Sequence, residues 1–253
     1  MKKVLVYVDE GAGPKSVRHL IKTLRDEGID QSLQISRIDR HFLNQETWED
    51  EAELIIFPGG RDIYYHQALR GKPNARIQSY VQNGGKYLGL CAGGYYGCAS
   101  IEFEKGHPLE VIDDRELGFF PGLAKGAAYG PNKFRYEGES GAHAAEIEWL
   151  GEETGFRSSC IYFNGGCEFV NADNSLNTTI LARYHDIPHT PAAIVQCKVG
   201  KGRAILSGVH PEYSASHLTS LKTTAPNILS QLDESEHFRK KLFCSLLKRL
   251  LPI

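Results

Sequence analysis

The amino-acid sequence predicts an α/β protein with a mainly parallel sheet and helices on both faces. Three observations predict it. Short apolar strands alternate with segments of helical periodicity, the strands stop at glycine-rich turns, and 253 residues are enough to bury a sizeable core without disulfides. No linker, internal repeat or low-complexity segment divides the chain. We therefore expect a single domain over residues 1–253.

The first half of the chain supplies the parallel strands. They are predicted over residues 3–9, 32–38, 54–57 and 86–90. Pro14 predicts the start of a helix after the first strand, and Asn74 is predicted to cap the helix before the fourth. The third and fourth strands stop abruptly at the turns PGG (58–60) and CAGG (91–94).

The second half is less regular. Residues 104–145 are rich in Gly and Pro, and we expect a loop-rich insertion there that covers a cleft. Further strands are predicted over residues 159–163, 178–184, 192–199 and 203–206. The last two, joined through Gly200-Lys201-Gly202, are typical of a hairpin. Residues 236–250 predict a closing helix with one apolar stripe toward the core.

Composition excludes several classes of protein. A net charge of −2 argues against a broad basic face for nucleic acid, and no apolar run approaches the length of a membrane span. The apolar run after the two N-terminal lysines is too short for a signal peptide, so we expect a soluble, cytoplasmic protein. The six cysteines form no CxxC pair, which predicts reduced thiols and no zinc site.

The sharpest local feature is the run Gly89-Leu90-Cys91-Ala92-Gly93. A cysteine between a strand and a helix start, with Gly two residues before and after it, has the pattern of a nucleophile elbow. The helix N-terminus would favour a thiolate there. The alternative is a small buried cysteine in an ordinary strand–helix turn.

Two further motifs follow predicted strands. In His210-Pro211-Glu212 the imidazole could act as a base for the cysteine, and the carboxylate could orient the ring. The backbone amides of Gly59 and Gly60, with the amide of Ala92, could form an oxyanion hole. By themselves these motifs are equally compatible with a loop histidine, a surface carboxylate and a plain βα turn.

Together the motifs FPGG, GLCAGG and HPE resemble the class I glutamine amidotransferase-like superfamily. More narrowly, the chain resembles the amidotransferase-like domain at the N-terminus of fungal-type biotin–protein ligases, which also occurs as a free-standing bacterial protein. The residues that carry the narrower resemblance are 57–62, 88–97, 117–122, 140–142, 162–166 and 208–214. The resemblance implies a flavodoxin-like fold. It also implies Cys91 as nucleophile, His210 as base, Glu212 as orienting carboxylate, and Gly59 or Gly60 with Ala92 at the oxyanion hole.

One departure from the superfamily bears on the substrate. Glutamine-using members commonly carry Gln four residues after the nucleophile, where this chain has Tyr95. We expect Tyr95, Asn164 and Arg61 to line the cleft and contact substrate. The residues after 215 suffice for loops and a closing helix, so no ligase or synthase domain is expected within them.

The leading hypothesis is a cysteine-dependent hydrolase or amidotransferase-like protein that acts on a small amide through a thioester, with no metal and no cofactor. The rival hypothesis is a non-catalytic regulatory module that binds a ligand or an unidentified protein partner. Redox sensing by Cys91 is a third. Neither nucleic acid nor a membrane is an expected partner, and the sequence predicts no oligomeric state.

Overall fold

The computed structural model describes residues 2–151 and 158–252. The strands within them are β1 (Lys3–Tyr7), β2 (Gln34–Ile38), β3 (Ala52–Phe57), β4 (Lys86–Leu90), β5 (Cys98–Phe103), β6 (Val111–Asp114), β7 (Phe120–Gly126), β8 (Ala142–Trp149), β9 (Ser158–Asn164), β10 (Cys167–Phe169), β11 (Thr178–Tyr184), β12 (Ala192–Val199) and β13 (Gly202–Ser207). The helices are α1 (Pro14–Asp26), α2 (Arg40–Gln45), α3 (Asp62–Leu69), α4 (Lys72–Gln82), α5 (Ala92–Tyr96), α6 (Leu221–Thr224), α7 (Pro226–Glu234) and α8 (Glu236–Leu250).

All of these strands belong to one sheet. Its first half has the order β2-β1-β3-β4-β13, with every neighbouring pair parallel. This is the flavodoxin-like order, so the predicted α/β fold is confirmed. From β13 the sheet continues through β12, β10, β7, β5 and β6, where only the β5–β7 pair is parallel. Strands β11, β8 and β9 extend from β12.

The core lies on both faces of the parallel strands because successive side chains point to opposite faces. On β1, Val4 and Val6 pack in the cluster that contains the apolar residues of α1 and α8. Leu5, which lies between these two valines, and Tyr7, which follows them, pack in the cluster that contains the apolar residues of α3 and α4. The helices therefore cover both faces, which buries β1, β3 and β4 almost completely and explains their continuous apolar runs, whereas the edge strand β2 is only partly buried.

Several predicted elements match the observed ones closely. α1 begins at Pro14, α8 spans residues 236–250, and β12 and β13 form an antiparallel hairpin through Val199 and Gly202. Residues 104–145 contain β6, all of β7, the strand-free segment 127–141 and the start of β8. None of the helices formed by the described residues has the length and hydropathy needed to cross a bilayer.

The predicted cap at Asn74 is wrong. The helix begins at Lys72 with Gly71 in the N-cap position, because Pro73 is favoured in the first turn of a helix. Asn74 lies inside that turn and is completely buried. Its side chain is hydrogen-bonded to the Tyr96 hydroxyl and to the Glu116 carboxylate instead.

Candidate active site

Three neighbouring strands bring the predicted residues to one edge of the sheet. β3, β4 and β13 run parallel and side by side, so their carboxyl ends face the same way. The turn 58–60 follows β3, Cys91 follows β4, and His210 comes shortly after β13. Ligands bind at this edge in open α/β sheets.

Cys91 has a backbone conformation that residues with a side chain rarely adopt. Its φ is 51° and its ψ is −104°, between β4 and α5. The turn requires glycine on both sides, since a Cβ at Gly89 would lie 2.2 Å from the Gly93 carbonyl oxygen and a Cβ at Gly93 would lie 2.0 Å from the Phe57 carbonyl oxygen. The Cys91 amide donates a hydrogen bond to Ser207 O at 2.8 Å. This is the geometry of a nucleophile elbow.

Cys91, His210 and Glu212 are all buried. Their relative exposures are 7%, 4% and 0%. Nδ1 of His210 lies 2.8 Å from Oε1 of Glu212, and the His210 amide donates to Tyr162 O at 2.9 Å. The structure thus brings together the three residues that the sequence predicts as a triad, and their catalytic roles stay predictions.

The charge state of His210 follows from its neighbours. Burial lowers the pKa of the imidazole, but the negative charge of Glu212 and the interactions with Cys91 outweigh burial and raise the pKa to about 10. Within the described residues, Oε2 of Glu212 has no hydrogen-bond partner. The imidazolium is therefore the main compensation for that buried carboxylate, and His210 is protonated at neutral pH.

The turn after β3 packs directly against the imidazole. A Cβ at Gly59 would lie 2.6 Å from Cε1 of His210, so the ring approaches the backbone where only glycine fits. The Pro58 carbonyl accepts a hydrogen bond from the Gly93 amide at 3.2 Å, which ties this turn to the elbow. Across residues 2–151 and 158–252 the amides of Gly59, Gly60 and Ala92 donate to no protein acceptor. They are free to bind an oxyanion, and that role stays a prediction.

A cleft of about 990 Å³ opens over Cys91 and His210. Four neighbouring rings form one part of its wall: Tyr95, Phe103, Phe134 and Tyr136. A second part of the wall carries basic side chains and hydroxyl groups, from Lys15, Arg18, His19, His217, Thr219 and Ser220.

The three predicted substrate-contacting residues all line this cleft. The Tyr95 hydroxyl donates to Gly165 O at 3.1 Å, and the Arg61 guanidinium lies 3.8 Å from the centre of the Tyr136 ring. Nδ2 of Asn164 donates to a backbone carbonyl at 3.2 Å, while its Oδ1 is buried with no partner in the described structure. Oδ1 of Asn164 is thus a buried acceptor next to Gly141 rather than one exposed to the cleft, and contact of these residues with substrate stays a prediction.

Glu139 fastens the strand-free segment 127–141 across the cleft. Its carboxylate is hydrogen-bonded to Lys15, to Tyr162 and, at 2.9 Å, to the Ser220 hydroxyl. Burial favours the protonated acid, but the hydrogen bonds from Lys15 and Tyr162 prevail and lower the pKa of Glu139. The segment is thus held over the cleft by a charged carboxylate.

Sequence reasoning missed Tyr213. Its ring stacks on His19 at 4.0 Å and on Tyr162 at 5.0 Å, and it lies 4.5 Å from the His210 ring. The Tyr213 hydroxyl is hydrogen-bonded to the Ser16 hydroxyl at 2.7 Å. The only available signal was its position directly after the HPE motif.

Sequence reasoning also missed a buried ion pair beside the cleft. Arg115 donates two hydrogen bonds to Oδ2 of Asp62, at 2.7 and 2.9 Å, and its side chain is completely buried. Burial raises the pKa of Asp62, although the Arg115 charge opposes the rise. The pair joins the start of α3 to the segment after β6, elements far apart in the sequence.

The described residues contain no group of three or more His, Cys, Asp or Glu side chains that could hold a metal ion. All six cysteines are free.

Comparison with known proteins identifies the family. The sequence signature described as Biotin-protein ligase, N terminal, matches residues 2–251. The chain belongs to the biotin–protein ligase N-terminal family. In Chlamydia muridarum (strain MoPn / Nigg), an uncharacterized protein is 37% identical over 253 residues, which cover 99% of this chain and 96% of that protein.

A second relative carries the name of the family. The biotin–protein ligase of Schizosaccharomyces pombe (strain 972 / ATCC 24843) is 40% identical over 180 residues. The match covers 70% of this chain but only 28% of the ligase. This chain thus corresponds to a fraction of that enzyme, and the activity of the whole ligase does not transfer to it.

Two solved structures of low sequence identity share the fold. A cytoplasmic protein from Salmonella typhimurium LT2 aligns with a TM-score of 0.50 and 16% identity over 99% of both chains. A ThuA-like protein from Bacteroides uniformis ATCC 8492 aligns with a TM-score of 0.54 and 12% identity, over 90% of this chain and 91% of its own. At such low sequence identity these two likenesses show only that this chain shares the fold.

Proposed function

We propose that this member of the family is a cysteine-dependent, amidotransferase-like hydrolase that acts on a small amide through a thioester at Cys91. The observation that carries the proposal is the buried pair of His210 and Glu212, 2.8 Å apart, beside a cysteine in a strained elbow at the floor of a cleft. The resemblance of its motifs to class I glutamine amidotransferases supports the same chemistry.

The first half of the reaction forms the thioester. The Cys91 thiolate attacks the amide carbonyl carbon, and the carbonyl electron pair moves to oxygen, where the free amides of Gly59 or Gly60 and Ala92 stabilise it. When the oxyanion collapses, the C–N bond breaks. The leaving amine takes a proton from the His210 imidazolium, which the raised pKa keeps available at neutral pH.

The second half returns the enzyme to its starting state. Neutral His210 takes a proton from water, and the resulting hydroxide attacks the thioester carbonyl. The C–S bond breaks, the thiolate leaves, and a carboxylic acid is released. Glu212 fixes the orientation of the ring throughout and stabilises its charged form.

The family relationship favours a second candidate function. The match to part of a biotin–protein ligase supports a regulatory module that binds a ligand or a partner in the same cleft without turning it over. Tyr95 supports this candidate too, because its hydroxyl bonds to Gly165 O and leaves no amide at the position where glutamine-using relatives carry Gln.

Mass spectrometry of the intact protein separates the two candidates. The protein is incubated with glutamine, with γ-glutamyl amides and with an electrophilic glutamine analogue, and released ammonia or amine is measured in parallel. The Cys91→Ser variant tests the nucleophile. Cys244→Ser is the matched control, because Cys244 is a partly exposed thiol on α8, outside the cleft lining.

A hydrolase gives an adduct that is lost in Cys91→Ser and kept in Cys244→Ser, with amine released from an unmodified amide. Labelling by the analogue without turnover, or no labelling of the folded protein, contradicts the hydrolase for these amides and favours the binding module.

A further inference from the structure

The first turn of α1 forms part of the cleft, yet the proposed chemistry does not use it. α1 is 13 residues long, and Gly13 at its N-cap offers no side chain to accept a hydrogen bond. The first turn contains no acidic residue. The amides of Lys15 and Ser16 therefore have no acceptor in the described structure, and they carry the positive end of the helix dipole.

A second observation points to a ligand at the same place. His19 lines the cleft and is only 5% exposed, yet its Nδ1 has no hydrogen-bond partner among the described residues. A buried nitrogen without a hydrogen-bond partner destabilises the folded protein, and a ligand that bonds to this nitrogen would offset that cost. Burial also lowers the pKa of His19 to about 3, so the ring is neutral and offers hydrogen bonds rather than charge.

The neighbouring charges suit an anion. Arg18 is exposed at the cleft and forms no ion pair with the described residues. His217 lies 6.0 Å from His19, and its Nδ1 is likewise buried and unpartnered. Three carboxylates line the cleft: Glu139 is already hydrogen-bonded to Lys15, Tyr162 and Ser220, Asp62 is paired with Arg115, and Glu137 is the third.

This region directly adjoins the reactive centre. The position of the Cβ that Gly59 lacks is 2.8 Å from the Ser16 hydroxyl and 2.6 Å from Cε1 of His210. The loop before α1 is also paired with the turn after β3, because the Gly13 amide donates to Gly59 O at 2.9 Å. β1 and β3 flank the point where the strand order reverses, which is where ligands bind in flavodoxin-like sheets.

From these contacts we infer that the first turn of α1, with Arg18 and His19, is a subsite for an anionic group, a carboxylate or a phosphate, of the ligand that occupies the cleft. The Lys15 and Ser16 amides donate to the anion, Arg18 supplies charge, and the imidazole of His19 supplies a hydrogen bond. The inference rests on the proposed function only in placing the reacting part of that ligand at Cys91.

The test is a titration of the ¹⁵N-labelled full chain with sodium phosphate and, separately, with sodium acetate, at ionic strength held constant with sodium chloride. We expect saturable shifts of the Lys15 and Ser16 amide signals. Phosphate saturating first identifies a phosphoryl group, and acetate saturating first identifies a carboxylate. Shifts that never saturate, or that chloride alone reproduces, overturn the subsite.

Variants locate the binding. Arg18→Gln and His19→Phe should each raise the dissociation constant about tenfold, because each removes one strong interaction with the anion. Phe keeps the stacking on Tyr213, and the exposed Arg18 can be replaced without disturbing the core. Lys22→Gln is the matched control, since Lys22 is an exposed cation of α1 that pairs with Asp26 outside the cleft lining. Equal affinity in Arg18→Gln and wild type contradicts the proposal.

The same titration of Cys91→Ala separates this inference from the proposed hydrolase. If Cys91→Ala still binds the anion and wild type turns over no amide, the result supports the anion subsite and contradicts the proposed hydrolase. Amide turnover by wild type without saturable anion binding contradicts only the proposed anion subsite.

Discussion

Nδ1 of His210 lies 2.8 Å from Oε1 of Glu212, and neither side chain is more than 4% exposed. A carboxylate buried this completely needs a positive partner, and the imidazolium supplies it. The pair therefore fixes the orientation of the ring and its charge at the same time. Several expected outcomes depend on this arrangement.

Replacing Glu212 by Gln should slow the alkylation of Cys91. Gln keeps the size of the side chain but removes the negative charge of Glu212, which is the largest of the interactions that raise the pKa of His210, so that pKa falls and the imidazolium is less populated at pH 7. The rate constant for iodoacetamide at pH 7 should drop about tenfold, equivalent to about 1.4 kcal/mol of lost ion-pair stabilisation. Glu46→Gln, an exposed carboxylate, is the control, and an unchanged rate in Glu212→Gln would count against the ion pair.

Adding one methyl group at Gly59 should disturb the imidazole. The Cβ of Gly59→Ala would lie 2.6 Å from Cε1 of His210, so the ring or the turn must move, at a cost of about 1–3 kcal/mol. We expect slower alkylation of Cys91 and a lower midpoint of urea unfolding. Gly138→Ala is the matched control in the cleft wall, because its nearest contact would be at 3.9 Å. Similar behaviour of the two variants would show that the contact at Gly59 does not position the ring.

Replacing Arg115 by Met should strongly destabilise the fold. The change leaves Asp62 buried without its cation, and breaking a buried pair in this way costs about 3–5 kcal/mol. The free energy of unfolding, measured with urea, should fall by that amount at pH 7. Lys22→Met removes a cation from an exposed pair and should have little effect. A loss in Arg115→Met no larger than in Lys22→Met would mean that the buried pair contributes nothing.

Stability should also depend on pH through His210. Its pKa in the folded protein, about 10, lies above its ordinary value of 6.5, so the folded state holds the proton more tightly. This contribution is fully present below pH 6.5 and is lost as the pH rises through about 10. The difference in unfolding free energy between wild type and His210→Gln should therefore shrink from pH 6 to pH 10. A difference that is constant over this range contradicts the raised pKa.

The sequence predicted the parallel strands and the closing helix because their signals are local. Continuous apolar runs that end at glycine turns are what a strand buried on both faces requires, and one apolar stripe is what a surface helix requires. The candidate triad was predictable for a related reason. Cys91 and His210 each follow a strand, and the carboxyl ends of parallel strands meet at one edge of the sheet.

Contacts between distant segments were not predictable. Nothing near Asp62 in the sequence indicates Arg115, and nothing in the helical pattern of α1 indicates that His19 stacks on Tyr213. The antiparallel pairs that skip strands were also beyond the sequence: β7 pairs with β10 and β8 pairs with β11, whereas the hairpin of β12 and β13, whose strands follow one another, was predicted.

The sequence by itself thus determined the fold class, the family and which side chains stand at the strand ends. Only the tertiary structure decided that His210 is charged and that its ring packs against the turn at Gly59. The tertiary structure also places the uncapped start of α1 beside that ring, together with Nδ1 of His19, which has no hydrogen-bond partner among the described residues. The physical reason is that burial and electrostatic pairing depend on which distant segments the fold brings together, whereas periodicity and turn chemistry are written in neighbouring residues.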